Sequence, residues 1–270
     1  MTTPALPYRL IATDLDGTLL RDDGSVSERT RAALAGATAA GAAHIIVTGR
    51  AVPWTRDILD SLGYEGLAVC AQGAQVYHAG EHRLLTSVTL DRKLAAVALA
   101  KIETETGPLA LAASRDGLDG EVLVSADYRV NEGPLPVARF DERDELWSAP
   151  INKVYIQHPE LSDDALAESA RQSVGNLVDV VMAGEGVVEI LPPGLSKATG
   201  LSLAARRLKL TAADTIAFGD MPNDIPMFGW AAHGVAMANA HSSLKAVADE
   251  VTTSNEDDGI AVALERLLQG

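Results

Sequence analysis

The fold is decided by residues 8–18, YRLIATDLDGT. The apolar run Tyr8–Thr13 predicts a short buried strand, which ends at the carboxylate of Asp14. Gly17 then permits the sharp turn that should follow the strand. We therefore expect a central strand whose carboxyl end carries acidic side chains.

After this first strand, the chain continues as alternating helices and strands. Ser27 suits the N-cap of a helix over 28–40, and a strand is predicted at 44–47. A helix to residue 62 and a strand at 67–71 follow, and the pattern returns with a helix at 197–208 and strands at 215–218 and 234–237. Such alternation predicts an α/β fold, a Rossmann-like doubly wound parallel sheet.

The middle of the chain has a different pattern. A predicted hairpin at 76–88 leads into an α+β order of short strands and two helices, with frequent Pro and Gly between residues 107 and 150. We expect two units: a core domain from residues 1–85 and 187–270, and an inserted α+β domain from residues 86–186.

Charge and composition exclude several classes of protein. The formal net charge is −15, whereas a nucleic-acid-binding face is basic. Cys70 is the only cysteine, which excludes an intrachain disulfide and a thiolate metal cluster. We see no secretory signal and no apolar run of about 20 residues that could span a membrane. We expect a cytoplasmic protein.

The first chemical motif is Asp14-Leu15-Asp16-Gly17-Thr18, in which two carboxylates stand one residue apart. A strand-ending turn is one explanation, because Asp and Gly both favour turns. A calcium-binding EF-hand loop is excluded because it requires glycine at its sixth position and glutamate at its twelfth. A functional site remains the favoured interpretation.

Two weaker motifs follow. In Thr48-Gly49-Arg50, the hydroxyl and backbone N–H groups suit phosphate oxygens, although a helix N-cap is the better explanation of this motif taken alone. Lys197 begins a predicted helix, where a lysine is usually a solvated surface residue. It gains meaning only if the fold brings it to the other motifs.

The last motif, 219–224, reads GDMPND and places Asp220, Asn223 and Asp224 in one turn after an apolar strand. Hard oxygen ligands at this spacing suit Mg²⁺. A cap on the following helix is the alternative explanation. Because all four motifs stand at or beside the carboxyl ends of predicted parallel strands, where ligands bind in open α/β sheets, we expect them to form one site.

These four motifs resemble those of the haloacid dehalogenase-like superfamily, in the same order and at similar spacing. The inserted domain lies between the second and third motifs, as in the Cof-type branch with a class IIB cap. Two positions differ from common members of that branch: Gln72 stands where Asn is frequent, and Ala198 stands where Gly is frequent.

The resemblance implies a Mg²⁺-dependent phosphatase. Asp14 would be the nucleophile that forms an aspartyl-phosphate, and Asp16 would act as general acid and then base. Thr48 and Lys197 would bind the transferring phosphoryl group.

The resemblance also implies a ligand set and contacts for the substrate. Mg²⁺ would be held by Asp14, the backbone carbonyl of Asp16 and Asp220, helped by Asn223 and Asp224. Gly49, Arg50 and Gln72 would join Thr48 and Lys197 in binding the substrate, with a surface ion pair as the alternative for Arg50. Substrate contact or packing both remain open for Lys153, Tyr155 and Arg115.

The substrate is expected to be a small phosphorylated metabolite such as a sugar phosphate, and no nucleic-acid or membrane partner is expected. A phosphomutase on the same fold and a non-catalytic sugar-phosphate sensor are the alternatives. A dehalogenase is disfavoured because its chemistry does not require the acid of Asp16, and a transport ATPase would need membrane spans. The sequence indicates neither the exact substrate nor the oligomeric state.

Overall fold

The computed structural model describes residues 6–130, 137–184 and 186–269. Its strands, in chain order, are β1 (Leu10–Thr13), β2 (Ala43–Val47), β3 (Leu67–Cys70), β4 (Gln75–His78), β5 (Arg83–Ser87), β6 (Ala110–Arg115), β7 (Val122–Val124), β8 (Val137–Arg139), β9 (Ile151–Gln157), β10 (Asp179–Gly184), β11 (Val187–Leu191), β12 (Thr215–Gly219), β13 (His233–Ala236) and β14 (Glu250–Val251).

Its α-helices are α1 (Glu28–Ala39), α2 (Val52–Ser61), α3 (Arg92–Thr106), α4 (Asp163–Val174), α5 (Lys197–Arg207), α6 (Ile225–Trp230), α7 (Ser242–Lys245) and α8 (Gly259–Gln269). Within the described ranges, these helices include none with the length and apolar character that crossing a membrane requires.

The larger sheet has eight strands in the order β14-β13-β12-β1-β2-β3-β4-β5. The strands from β14 to β3 are parallel, and β4 and β5 form an antiparallel extension at one edge. The predicted α/β core with a parallel sheet is confirmed. The two-residue strand β14 was not predicted from the sequence.

Helices cover both faces of this sheet because its strands are apolar on both sides. Ile11 and Ile46 point to the face that is covered by α1 and α8. Their neighbours Leu10 and Ile45 point to the opposite face and pack with α5 and α6. Alternating side chains along each strand thus produce the three-layer arrangement.

The smaller sheet has six strands in the order β10-β11-β9-β6-β7-β8. All neighbouring pairs are antiparallel except β7 and β8. Helices α3 and α4 pack on one face of it, through residues such as Leu99 and Leu166. This α+β architecture agrees with the pattern predicted for the insertion.

The boundary predicted at residue 187 needs correction. Strand β11, Val187–Leu191, pairs with β10 and β9 of the smaller sheet and does not start the core. An apolar strand next to a core motif gives no local sign of its partner, since pairing depends on the distant strand β9. Strand β5 pairs with β4 and extends beyond the predicted boundary at 85. We propose that the inserted domain spans residues 88–191.

Candidate active site

Three of the four motifs follow neighbouring strands. Strand β1 lies between β12 and β2, so Asp14, Asp220 and Thr48 come directly after adjacent parallel strands. The backbone N–H of Asp14 donates to the Phe218 carbonyl at 3.0 Å, which fixes the turn after β1 against β12. The motifs therefore converge at one edge of the sheet, as the sequence predicts.

Lys197 reaches this edge because α5 begins against the turn after β3. Gly73 has φ +103°, and a Cβ there would lie 2.1 Å from the Ser196 carbonyl oxygen. A side chain at position 73 would push the helix away. The close approach of two backbones thus places the first residue of α5 beside β1.

Lys197 joins two aspartates in a buried cluster. Its Nζ lies 2.7 Å from Asp14 Oδ1 and 2.7 Å from Asp224 Oδ1. The second oxygen of Asp224 accepts from the backbone N–H groups of Asp220 and Met221, each at 3.1 Å. Asp224 therefore holds the lysine and the last motif together.

The charges of this cluster do not balance. Burial raises the pKa of Asp14 well above its ordinary value, Lys197 lowers it only in part, and repulsion from Asp224 and Asp220 adds to the rise. Burial alone would lower the pKa of Lys197, but Asp14 and Asp224 outweigh it and raise that pKa. The site has a surplus of negative charge.

Asp220 occupies a closely fitted position. Thr18 donates from Oγ1 to Asp220 Oδ1 at 3.0 Å. A Cβ on Gly17, where φ is +69°, would lie 2.3 Å from Asp220 Oδ2. Burial, with repulsion from Asp224, raises the pKa of Asp220 to about 6. The glycine of the first motif thus makes room for the carboxylate of the fourth.

These residues fit a divalent metal ion. One carboxylate oxygen from each of Asp14, Asp220 and Asp224 lies within 4.8 Å of the other two, and we call these residues the carboxylate cluster. Asn223 precedes Asp224 in the chain and lines the same cavity as Asp14, and its buried Oδ1 has no hydrogen-bond partner among the described residues. A hard cation such as Mg²⁺ suits carboxylate and amide oxygens and would neutralise the surplus charge.

Asp16 and Arg50 lie together at the mouth of the site. The guanidinium donates from Nε to Asp16 Oδ2 at 2.8 Å and from Nη2 to Oδ1 at 2.7 Å. The Asp16 side chain is 49% exposed and that of Arg50 is 32% exposed. Arg50 therefore forms an ion pair, which was one of the two explanations offered for it. Its partner Asp16 is a residue of the first motif, so the pair belongs to the site.

Thr48, Gly49 and Gln72 lie at different depths. Thr48 is buried, and its hydroxyl accepts from the Arg50 N–H at 3.1 Å, as in a local cap. Gly49 lines the cavity above the carboxylate cluster. Gln72 is buried and both ends of its amide are already hydrogen-bonded within the protein. Their predicted contacts with the substrate stay predictions.

A cavity of about 880 Å³ lies between the core and the inserted domain. Asp14, Asp16 and Lys197 line it from the core, and Lys153 and Tyr155 line it from the inserted domain. Arg115 lies apart from this cavity and pairs with Glu121.

Glu189 was not singled out from the sequence, and Thr18 was named in the first motif without a role of its own. Glu189 stands within the apolar strand β11, where a charged residue is rarely buried without a partner. That interruption was a usable signal.

Comparisons with known proteins identify the family of this chain. Residues 11–264 match the family model of haloacid dehalogenase-like hydrolases. The chain is 32% identical to Phosphatase YwpJ of Bacillus subtilis, covering 96% of this chain and 100% of that protein. It is 28% identical to 5-amino-6-(5-phospho-D-ribitylamino)uracil phosphatase YwtE of Bacillus subtilis, covering 97% and 99%.

A longer relative matches only in part. The chain is 30% identical to chloroplastic Endoribonuclease YBEY of Arabidopsis thaliana, with 96% of this chain covered, and it spans 46% of that protein's length.

Solved structures give the same result. A haloacid dehalogenase-like hydrolase from B. subtilis superimposes with a TM-score of 0.81 at 25% identity, covering 96% of this chain and 99% of that one. The HAD subclass IIB sugar phosphatase BT4131 shares the fold, with a TM-score of 0.76, 22% identity and 96% and 98% coverage. The chain belongs to the haloacid dehalogenase-like hydrolases.

Proposed function

We propose that this enzyme is a Mg²⁺-dependent phosphatase that hydrolyses small phosphomonoesters through an aspartyl-phosphate on Asp14. The observation that carries the proposal is the Lys197 ammonium in the cavity, held 2.7 Å from Asp14 Oδ1, together with the carboxylate cluster that Asp14 forms with Asp220 and Asp224. A carboxylate, a fixed ammonium and oxygen ligands for a cation are the parts that phosphoryl transfer needs.

Asp14 attacks phosphorus and breaks the bond to the leaving oxygen, and hydrolysis of the acyl phosphate then restores the carboxylate. Lys197 favours the ionised form of Asp14 and reduces its repulsion of the phosphoryl oxygens. Asp14, the Asp16 carbonyl and Asp220 would hold Mg²⁺, with help from Asn223 and Asp224. When bound, the ion would neutralise the charge of the transferring group.

Asp16 is the proton-transfer group in this proposal. It would protonate the leaving oxygen and later take a proton from the attacking water. The two hydrogen bonds from Arg50 hold its carboxylate at the mouth of the site. Rotation of the Asp16 side chain away from Arg50 would bring its carboxylate to the leaving oxygen of the substrate. The guanidinium of Arg50, released from this ion pair, would then bind an anionic substrate.

The substrate class follows from the cavity and from the relatives. A volume of about 880 Å³ suits a small metabolite rather than a macromolecule. YwtE is named for a phosphorylated ribitylamino-uracil and BT4131 for sugar phosphates. We propose a sugar phosphate or a similar phosphorylated metabolite, in a cytoplasmic enzyme without nucleic-acid or membrane partners.

The test is phosphate release from p-nitrophenyl phosphate and a panel of phosphorylated metabolites, with Mg²⁺ and with EDTA. Asp14→Asn should reduce the rate by about 10⁴-fold, as expected when a nucleophile is removed. Asp60→Asn, which changes an exposed acidic residue of α2 that does not line the cavity, is the matched control and should keep near-normal rates. Full activity of Asp14→Asn, or activity that survives EDTA, would contradict the proposal.

The same panel decides between the alternatives. A phosphomutase would interconvert phosphosugar isomers without releasing phosphate. A non-catalytic sensor would bind phosphosugars without turnover at any Mg²⁺ concentration.

A further inference from the structure

Two charged side chains of the inserted domain, which we call the cap, are buried against the active site. Lys153 on β9 and Glu189 on β11 are each only 1% exposed, and they form an ion pair. Lys153 Nζ also donates to the Gly49 carbonyl of the core at 2.6 Å. The pair thus connects the cap directly to the loop of the second motif.

From this pair, two further hydrogen bonds lead to the metal-binding motif. Gln72 Nε2 donates to Glu189 Oε2 at 2.7 Å. Asn223 Nδ2 donates to Gln72 Oε1 at 3.1 Å. Gln72 is 1% exposed and Asn223 is 5% exposed, so water has little access to these bonds.

Lys153 determines which group donates and which accepts in every hydrogen bond of this series. An ammonium only donates and a carboxylate only accepts, so Glu189 requires the NH₂ group of Gln72. The Gln72 oxygen must then be the acceptor, and Asn223 must offer its own NH₂ group. This leaves Asn223 Oδ1 free, and it is the oxygen that has no partner within the described part of the chain.

We propose that Lys153, Glu189 and Gln72 form an orienting chain that turns the Asn223 amide oxygen toward the Mg²⁺ site. They are positioning residues, and through them the affinity for Mg²⁺ depends on how the cap is seated on the core. This inference rests on the proposed function for the identity of the metal, but it concerns metal binding and not turnover.

The local backbone is built to hold Gln72 in this role. Gln72 has φ +58°, in the left-handed region that a residue of this size rarely adopts. A Cβ on Gly49 would lie 2.6 Å from Gln72 Nε2, so the glycine leaves room for the amide. Lys153 also lies over the Tyr155 ring, 4.6 Å from its centroid, which further fixes the ammonium.

The test compares Mg²⁺ dissociation constants measured by calorimetry in the absence of substrate. Gln72→Leu removes both hydrogen bonds of the amide, and we expect Mg²⁺ to bind about tenfold more weakly, a usual effect of losing a partner of a metal ligand. At saturating Mg²⁺, part of the lost activity should return.

The matched control is Gln75→Leu. Gln75 is also fully buried, and it joins the core to the cap through Asp116 and Asn152 without touching Asn223. This variant should lose stability but keep its Mg²⁺ dissociation constant within about twofold. An equal weakening in both glutamine variants would overturn the proposal in favour of a general packing effect.

A second variant guards against misfolding of the first. Lys153→Met with Glu189→Leu replaces the ion pair by apolar side chains, a change that buried pairs often tolerate. Gln72 then loses its acceptor and the amide is free to flip, so Mg²⁺ should again bind several-fold more weakly. Wild-type affinity in this folded double variant would overturn the orienting chain.

The outcomes separate this inference from the proposed function. Mg²⁺ binding that depends on Gln72, in an enzyme that hydrolyses no phosphomonoester, would contradict only the proposed function. Hydrolysis with a Mg²⁺ dissociation constant that is unchanged in Gln72→Leu would overturn only the orienting chain.

Discussion

Two lysines, one in the core and one in the cap, are equally buried and yet differ in their charge environment. Lys197 and Lys153 are each 1% exposed. Lys197 contacts two aspartates, which raise its pKa although burial opposes the rise. Lys153 contacts one glutamate, and burial still lowers its pKa, with repulsion from Lys197 adding to the effect.

The difference teaches that burial does not set the role of a lysine by itself. The base of the active site carries more carboxylates than its single ammonium neutralises, so it is prepared for another cation. The cap pair is neutral overall and has a positioning role. The two regions should therefore respond differently when each lysine is removed.

The largest effect is expected for Lys197→Met. Loss of the ammonium leaves Asp14 and Asp224 facing each other and removes the positive charge from the transferring group. We expect kcat/KM to fall about 10³-fold. Lys101→Met, on the exposed surface of α3, is the control and should have no measurable effect on kcat/KM.

The main effect of Lys153→Met should be a loss of stability. It leaves the Glu189 carboxylate buried without its cation, which costs about 3–5 kcal/mol in the free energy of unfolding. Urea unfolding of the variant measures this loss, and the added change Glu189→Leu should restore most of it. A Lys153→Met variant as stable as the wild type would remove the contrast between the two lysines.

Gly17→Ala tests how closely the first motif is fitted to the carboxylate cluster. The new Cβ would lie 2.3 Å from Asp220 Oδ2 and displace that carboxylate. We expect Mg²⁺ to bind about tenfold more weakly, as for other losses around metal ligands. Gly24→Ala is the control, because Gly24 also has positive φ, at +79°, but nothing lies within 4 Å of its Cβ position. Equal Mg²⁺ affinities in the two variants would contradict the close fit.

His44 is a further basic side chain to compare with the two lysines, and its hydrogen-bond partner is a hydroxyl. Its Nε2 lies 2.8 Å from Thr13 Oγ1, and burial lowers its pKa from 6.5 to about 4. Between these values the unfolded chain binds the extra proton, so His44 should lower stability as the pH falls from 6.5 toward 4. Since His44 is half-buried as a residue, we expect a loss of about 1–2 kcal/mol.

The measurement is urea unfolding at pH 7 and pH 5 for the wild type and His44→Gln. The variant cannot take up this proton, so its stability should fall less over the same interval. Parallel pH dependence in the two proteins would show that His44 does not titrate in this range.

Much of the core could be predicted from the sequence because its signals are local. The apolar run before Asp14 and the glycine turn after it mark a strand end, and parallel strands bring their ends together. Lys197 was recognised only through the whole set of motifs, since a lysine at a helix start has no distinctive local pattern.

The rest depended on pairings across long distances. The bonds from Arg50 to Asp16 span 34 residues, and Gln72 and Glu189 stand 117 residues apart. Apart from Glu189 itself, nothing in β11 indicates that it pairs with β9, and this pairing brings Glu189 beside Lys153. Charged residues within both strands were the only hint that the two would meet.

The orienting chain also bears on attempts to change specificity by exchanging caps between enzymes of this family. The connection after β5 and the connection after β11 both pack near Ala74, so a foreign cap could be joined at two neighbouring points. A transplanted cap without an acid and a lysine facing Gln72 and Gly49 would leave the recipient's metal site poorly organised. Donor caps should therefore be chosen by these two positions before their substrate contacts are considered.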